Sequence, residues 1–347
     1  MTLTGLRNVA HRVDLYTVRE ELLGTLDGVE GGSLTLQNSD SVKASGSLSV
    51  TLTQEIDWLG VRVMPVHIIN GIDYPLGMYI PSVPQERHTA TTASVDVKLL
   101  DKLTILDQVK QERPFTVLKD TNVITAVRSL IDLAGEKAVA ITPSSATTRT
   151  DQTWDANTST LRIINDLLGS AGFYSLSCDR LGNYTTSPYV LPADRPVARV
   201  MYDDRQSIYT SDFGVEEDLY SIPNKVTCVS TATQSTPALT SIATNTDPES
   251  RFSYPRRGIW IPQRVDNLEV TSQAVLDAEA KKRLVEATTA AMTLSLTHAY
   301  VPLALNDVIE FRNVKADLHV RATCMSQNIS LNPTELMSAT YRRVVTL

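Results

Sequence analysis

Five histidines and three cysteines are the residues whose chemistry could support metal binding or nucleophilic catalysis. The histidines share no HxxxH spacing, and they stand at His11, His67, His88, His298 and His319. The cysteines, Cys178, Cys228 and Cys324, are too far apart for a CxxC ligand pair, and their odd number disfavours a disulfide framework. Because the ligands of a metal site usually follow a recognisable spacing, we predict no metal site and no cofactor.

Paired carboxylates are a second set of residues that could do chemistry, since two acids can divide general acid and base roles. Such groups occur at Asp203-Asp204 and at Glu216-Glu217-Asp218, in polar sequence without an aromatic-lined groove. Neighbouring acids in such sequence usually form a solvated face, and a functional assignment would need a cleft. The sequence also lacks GxSxG, GxxxxGK[ST] and GxGxxG motifs. We therefore predict that the protein is not an enzyme.

The segment YPRRGIW, residues 254–260, combines basic and aromatic side chains. This combination could stack on a single-stranded nucleic acid. It is also typical of protein contacts, where Arg, Tyr and Trp carry much of the binding energy. We favour the second interpretation, which makes Tyr254, Arg256, Arg257 and Trp260 candidate protein-interface residues.

The net charge of −7 argues against a protein that holds nucleic-acid phosphates, because such proteins cluster Lys and Arg. It does not exclude a channel through which nucleic acid merely passes. No apolar run approaches the roughly 20 residues of a membrane helix, and the polar start lacks the apolar core of a signal peptide. We expect synthesis in a reducing cytoplasm and no membrane insertion.

The elements that would position these side chains are mostly strands. Apolar and polar residues alternate through much of residues 1–112, most regularly in ASGSLSVTLT at 44–53. Asn70-Gly71 is a strong hairpin signal between two such runs. Short strands at regular spacing with glycine turns predict a β-sandwich or a barrel.

The hydrophobic period changes to a helical one after residue 112. The segment NVITAVRSLIDLA, residues 122–134, predicts a helix with Asp120 or Thr121 as its cap and Gly135 as its stop. A second helix and a hairpin follow in residues 153–189. The capping-type residues 157–159 directly precede this helix. These patterns predict a small α+β module between two mostly β regions.

The strand pattern returns at residue 197 and continues, with one interruption, to the last residues of the chain. The polar stretch after residue 230 has few core-forming residues, so we expect little structure there. Residues 272–289 predict a helix, because apolar residues form one side and Glu279 stands four residues before Arg283. The fold class is therefore mainly β with α+β insertions.

Several short motifs of this sequence, taken in order, resemble a known family. They are LLDKL at 99–103, Trp154 followed by LRIINDLL at 161–168, ADRP at 193–196, IPNKV at 222–226, ATNTDP at 243–248 and FSYPRRG at 252–258. Together they resemble the minor tail proteins of actinobacterial siphophages, which are similar in turn to the central hub proteins of phage baseplates and related injection machines. No stretch resembles an appended lysozyme or fibre domain, so no enzymatic or receptor-binding activity is carried over.

The resemblance implies a homotrimer whose subunits each contribute two tail-tube-like β-barrel domains to a pseudo-sixfold ring. The expected units are a first barrel at 1–112, a peripheral α+β module at 113–196, a second barrel at 197–230 and 290–347, and an inserted excursion at 231–289 with helix 272–289. The sequence does not show which acidic residues, if any, would line the channel of such a ring.

The function implied is that of a structural tail-tip, or baseplate, hub in the virion of a long-tailed phage. Such a ring continues the tail tube, connects the distal tail protein ring, the tape measure protein and the tip or fibre proteins, and gates DNA passage during infection. Nucleic acid would be only cargo. The alternative is a carbohydrate-binding or receptor-binding tail protein that acts in host adsorption, because β-sandwiches with Tyr and Trp also bind sugars.

Overall fold

The structure is a computed structural model that describes residues 7–52, 55–88, 93–137, 139–204, 207–217, 220–232, 237–289 and 292–345. A β region comes first, a small α+β module follows, and a second β region with an insertion completes the chain. The prediction of a mainly β fold with α+β insertions is confirmed.

Strands of the first β region alternate buried and exposed residues as the sequence pattern predicts. Their bounds are β1 (Val9–Thr17), β2 (Leu22–Thr25), β3 (Val29–Gln37), β4 (Ala44–Thr51), β5 (Val61–Ile69), β6 (Ile72–Pro75), β7 (Tyr79–His88) and β8 (Ala93–Asp101). The predicted hairpin joins β5 and β6, with φ of 53° at Asn70 and 79° at Gly71. Positive φ at both central residues is what a tight hairpin of this kind requires.

The α+β module at 113–196 contains two helices, five short strands and one 3-10 turn in its described residues, and a third helix precedes it. In chain order these elements are α1 (Leu103–Gln108), which is the preceding helix, β9 (Phe115–Val117), α2 (Val123–Leu133), β10 (Val139–Ile141), β11 (Gln152–Trp154), α3 (Thr160–Ser170), β12 (Ser177–Cys178), β13 (Tyr184–Thr186) and the turn Pro192–Asp194. The N-cap of α2 is Asn122, one residue after the predicted cap, because its side chain accepts a hydrogen bond from the Thr125 N–H at 2.9 Å.

The second β region and its insertion contain the remaining elements. They are β14 (Val197–Tyr202), β15 (Tyr209–Glu217), β16 (Lys225–Ser230), β17 (Thr240–Thr244), α4 (Tyr254–Arg257), β18 (Pro262–Leu268), α5 (Gln273–Thr289), β19 (Met292–His298), β20 (Val308–Asn313), β21 (Leu318–Ser330) and β22 (Met337–Arg343).

Strands from both β regions belong to one sheet of 14 strands. Its main order is β15-β19-β22-β21-β3-β4-β8-β7-β5-β1-β2, and β6, β14 and β20 attach beside this path. The joint is β21, a strand of 13 residues. Its first residues pair with β20, and residues 326–330 pair with residues 33–37 of β3, while β22 pairs along the opposite edge.

One hydrophobic core fills the space behind this sheet and contains residues of both β regions, among them Leu34, Leu48, Phe311 and Tyr341. Each of these four side chains is fully buried. Among the described residues the strand pairings do not return to their starting strand, so neither β region forms a closed barrel within one chain. The sheet of a single chain is open, with β2 and β15 at the ends of its main path.

The contact between β3 and β4 near the centre of the sheet has room only for glycine at position 46. A Cβ atom added to Gly46 would lie 2.5 Å from the carbonyl oxygen of Ser33 and 2.7 Å from Cδ2 of Leu34. Both distances are shorter than nonbonded heavy-atom contacts allow, so any side chain here would push the two strands apart.

A separate sheet of three strands, in the order β17-β16-β18, forms the insertion together with α5. Leu276, Ala280 and Leu284 of α5 pack with Val226 and Cys228 of β16. The sequence grouped β16 with the second barrel range, but the hydrogen-bonded neighbours of this strand are β17 and β18. The physical reason is that α5 covers the apolar side chains of β16.

A cluster of four charged side chains, three of them buried and Glu20 partly exposed, ties the α+β module to the first β region. Arg62 Nη1 lies 2.6 Å from a carboxylate oxygen of Glu20, and Arg62 Nη2 lies 2.6 Å from a carboxylate oxygen of Glu136. The Lys102 side chain is fully buried, forms an ion pair with Glu20, lies 3.2 Å from Glu136 and donates a hydrogen bond to the Gly182 carbonyl at 3.0 Å. The two positive and two negative charges sum to zero, which lowers the free-energy cost of burying them.

His11 and His67 face each other across β1 and β5, with ring centroids 4.2 Å apart. His67 is 4% exposed, and its ring packs at a tilt against that of Tyr300, with centroids 4.4 Å apart. Neither ring nitrogen of either histidine has a hydrogen-bond partner among the described residues. Burial lowers the pKa of His11 to about 4 and that of His67 to about 3, because a protonated ring would lose its hydration.

We expect the free energy of unfolding to fall as the pH decreases from 6.5 to 4. In the unfolded chain each histidine has a pKa of about 6.5 and binds a proton in this pH window, while the folded pair stays neutral. Each histidine should contribute about 2–3 kcal/mol of this loss. Urea unfolding at several pH values measures it. His67→Phe keeps an aromatic ring, removes one titrating group and should flatten the slope; an unchanged slope would contradict the assignment.

Candidate functional site

The solvent-facing side of the large sheet carries a continuous field of small polar residues, which we call the hydroxyl face. It crosses β4, β3, β21, β22 and β19. Its members are Ser33, Thr35, Ser45, Ser47, Ser49, Ser295, Thr297, Ser326, Asn328, Ser338 and Thr340. Because β21 and β3 pair directly, the hydroxyl face continues from one β region into the other.

The period of two along each strand produces this face. Ser33 and Ser47 are directly paired with hydroxyl oxygens 3.4 Å apart, and Leu34 between such positions points into the core. Ser326 and Thr340 are also paired, with hydroxyl oxygens 2.5 Å apart. Hydroxyl groups that bond to one another across strands leave fewer donors free for a ligand.

No member of the hydroxyl face is charged. The nearest charged positions in the same registers are Asp96 and Lys98 on β8, Arg342 on β22 and Glu216 on β15. These four side chains stand at the margins and cancel in formal charge. A groove of about 600 Å³ follows the face where β21, β22 and β19 run side by side, and Asp212 of β15 also lines it. The arrangement offers a broad, shallow surface with few charges rather than a catalytic cleft.

The predicted interface segment forms a second exposed surface, which we call the aromatic loop and define as residues 252–261. Tyr254 begins α4, Gly258 ends it in the left-handed conformation with φ of 69°, and the chain returns so that Trp260 stacks on Tyr254. The two ring centroids are 4.4 Å apart and the ring planes differ by 18°. Tyr254 and Trp260 are each 39% exposed, and Ile259 beside them is 59% exposed.

Two buried asparagines hold the aromatic loop in place. The Asn224 side chain donates to the Ile259 carbonyl at 2.9 Å and accepts from the Ile261 N–H at 2.7 Å. The Asn245 N–H donates to the Asn224 carbonyl at 2.9 Å, and the Asn245 carbonyl accepts from the Tyr254 N–H at 3.0 Å. The motifs IPNKV, ATNTDP and FSYPRRG therefore meet in one hydrogen-bonded unit.

Of the four residues singled out in the sequence, the structure brings Tyr254 and Trp260 together and gives the two arginines different surroundings. Arg256 Nε donates to the Pro248 carbonyl at 2.7 Å. Arg257 Nη1 donates to the Ile222 carbonyl at 2.8 Å. Both guanidinium groups thus fix the loop to its own chain, and the stacked rings form its outer surface.

The residues that sequence reasoning missed are Asn224, Asn245 and the hydroxyl face. A signal was present for the asparagines, since both stand inside motifs that carry the family resemblance. The alternating serines and threonines were used only to predict strands, and no sequence signal showed that β3 and β21, nearly 300 positions apart, would pair.

We expect Asn224→Ala to lower the free energy of unfolding by about 1–2 kcal/mol, because it leaves the partly buried Ile261 N–H and Ile259 carbonyl without this partner. Thermal denaturation measures the loss, and hydrogen exchange should show faster exchange in residues 252–261. Gln263→Ala on the exposed side of β18 is the matched control and should be neutral. Unchanged exchange in the loop would show that Asn224 does not support it.

Metal binding has no structural support within the ranges that the structure describes, where no group of three His, Cys, Asp or Glu side chains could hold an ion. The helices of the same ranges include none that is long and apolar enough to span a bilayer.

Comparison with known proteins identifies the fold of this chain but assigns it to no family. No family model matches the sequence, and a search of curated proteins finds no match. Among solved structures, a tail protein from Neisseria meningitidis MC58 is similar with a TM-score of 0.69 at 13% identity, over 97% of each chain. The 43 kDa tail protein of prophage MuSo2 from Shewanella oneidensis has a TM-score of 0.67 at 12% identity, over 96% of this chain and 98% of that one.

A third similar structure is the E. coli c3393 protein, with a TM-score of 0.56 at 9% identity over 96% of this chain and 77% of that one. It is described as a component of the type VI secretion system with structural similarity to the bacteriophage T4 tail proteins gp27 and gp5. This chain therefore has the fold of phage tail proteins and of related baseplate-like proteins.

Proposed function

We propose that this chain is a structural tail-tip hub, or baseplate hub, in the virion of a long-tailed phage, of the type found in actinobacterial siphophages. The observation that supports the proposal best is the hydroxyl face, which extends without interruption over both β regions of one sheet. A surface with few charges neither binds nor strongly repels phosphate, so DNA in contact with it would slide rather than stick.

In this proposal three copies form a ring around the DNA channel, with the hydroxyl face toward the lumen. Each copy would supply two tube-like units, built from residues 1–112 and from 197–230 with 290–347, where β16 at 225–230 pairs with the sheet of the insertion. Three copies would give six units per ring. Closure into barrel-like tubes would come from neighbouring copies, because the sheet of one chain ends in the edge strands β2 and β15. The ring would continue the tail tube and gate DNA passage.

The α+β module, residues 113–196, and the insertion, residues 231–289, would then decorate the periphery. The aromatic loop lies on the insertion and would contact another virion protein, with Tyr254 and Trp260 as the anchors and Arg256 and Arg257 in support. The candidates are the distal tail protein ring, the tape measure protein and the tip or fibre proteins. The role is structural, without catalysis.

Two measurements test the proposal. Native mass spectrometry of the purified protein should find a trimer, alone or with the distal tail protein, and cryo-electron microscopy of assembled tails should find the chain as a ring at the tail tip. A protein that is absent from the tail tip, or that lies there with the hydroxyl face turned away from the lumen, would refute it.

A further inference from the structure

A deep cleft separates the α+β module from the insertion and lies apart from both the hydroxyl face and the aromatic loop. Its volume is about 810 Å³. One wall comes from β11, α3 and the segment after it, and the other from the end of β18 and from α5. We infer that this cleft binds a neutral oligosaccharide. The inference rests on the cleft alone and does not depend on the proposed function.

Four aromatic residues line the cleft, and three of them, Trp154, Tyr174 and Tyr189, are held in position by polar or charged neighbours. Trp154 Nε1 donates a hydrogen bond to Oδ2 of Asp166 at 2.8 Å. The rings of Tyr174 and Tyr189 are 5.0 Å apart, and the Arg195 guanidinium lies 5.4 Å and 5.5 Å from their centroids. Sugar rings present flat C–H faces that pack on such rings, and pre-positioned rings reduce the entropy lost on binding.

The Gln152 side chain at the wall of the cleft has an oxygen without a protein partner. This side chain is 6% exposed, and its Oε1 is buried with no hydrogen-bond partner among the described residues. A buried carbonyl oxygen without a donor is costly, so a ligand hydroxyl that donates to it, once the side chain turns toward the cleft, would gain free energy on binding. Carboxylates of Asp166 and Glu286 and the ammonium group of Lys282 also line the cleft and can bond to further hydroxyls.

The charge of the lining selects against acidic ligands. Five carboxylates line the cleft, on Asp151, Asp166, Glu269, Glu279 and Glu286, against the two cations Lys282 and Arg283. Both cations already pair with Glu279, at 3.6 Å and 2.7 Å. A phosphate-bearing or carboxylate-bearing glycan would meet an excess of negative charge, whereas an uncharged sugar would meet acceptors for its hydroxyl groups.

The test is binding of the purified full chain to an array of neutral and acidic oligosaccharides, followed by calorimetric titration with the neutral sugar that is retained. Tyr189→Ala removes one aromatic ring, and Gln152→Leu removes the unpartnered oxygen. We expect each variant to bind about tenfold more weakly, and Gln152→Leu to melt no lower than the wild-type chain. Trp260→Ala, on the aromatic loop, is the control and should bind normally.

Several outcomes would overturn the inference. They are retention of no neutral glycan, retention of acidic glycans only, and equal binding by the wild-type chain and the Tyr189→Ala and Gln152→Leu variants. Loss of binding in the Trp260→Ala control would move the sugar site to the aromatic loop and would equally overturn it. None of these results affects the tail-tip position, which microscopy of assembled tails decides separately.

Discussion

We expect Lys102→Met to lower the free energy of unfolding by about 3–5 kcal/mol, the cost typical of breaking a buried ion pair from one side. The Lys102 side chain is fully buried between Glu20 and Glu136. Without its ammonium group, two carboxylates would remain close together with Arg62 as their single cationic partner in the cluster. Methionine fits the volume of the lysine stem, so the loss measures charge rather than a cavity.

A second substitution distinguishes lost charge balance from lost packing. Adding Glu20→Gln to Lys102→Met returns the cluster to one cation and one anion, so we expect it to recover part of the loss. Urea unfolding of the two single variants and the double variant measures the coupling. Lys315→Met on the surface is the control and should stay within about 0.5 kcal/mol of wild type. Strictly additive effects would contradict a cluster that acts as a unit.

The second large effect concerns DNA. We expect Ser47→Lys with Thr340→Lys on the hydroxyl face to slow genome ejection from assembled virions, because each lysine can bind a phosphate of the passing DNA. Each pair of new phosphate contacts that a subunit adds should make the affinity for DNA fall about tenfold between 50 and 200 mM salt. Ejection should therefore recover as the salt concentration rises, which time-resolved fluorescence of released DNA can measure.

The matched control carries the same added charge on the insertion, as Thr240→Lys with Gln263→Lys, at exposed positions of β17 and β18. This variant should eject at the wild-type rate. Equal ejection by both variants would show that the hydroxyl face does not meet DNA, and equal slowing would point to added net charge rather than to its position.

Much of the fold was predictable because period-two and helical patterns report local geometry. The alternation in residues 44–53 predicted β4, and residues 272–289 correspond to α5 within one residue. The exposed Tyr254 and Trp260 could also be selected by residue type, although their stacking depends on the turn at Gly258.

The features that escaped prediction depend on contacts between distant residues. Lys102 stands next to Asp101 in LLDKL and has the local pattern of a surface charge, but its partners are 82 residues earlier and 34 residues later in sequence. The hydroxyl face likewise depends on the pairing of β3 with β21, which no local pattern encodes. Strand recognition is local, whereas the choice of strand partners is not.

The 13-residue strand β21 also determines how a subunit responds to force. β20 and β3 pair one after the other along one edge of β21, and β22 pairs along the other edge. A force that pulls the two β regions apart along the strand axis would therefore act on many hydrogen bonds at once, in shear. Hydrogen bonds that are loaded together in shear resist a larger force than hydrogen bonds that break one after another. In the proposed ring, the sheet that joins both β regions would keep each subunit rigid. Opening of the ring would then occur at the interfaces between subunits.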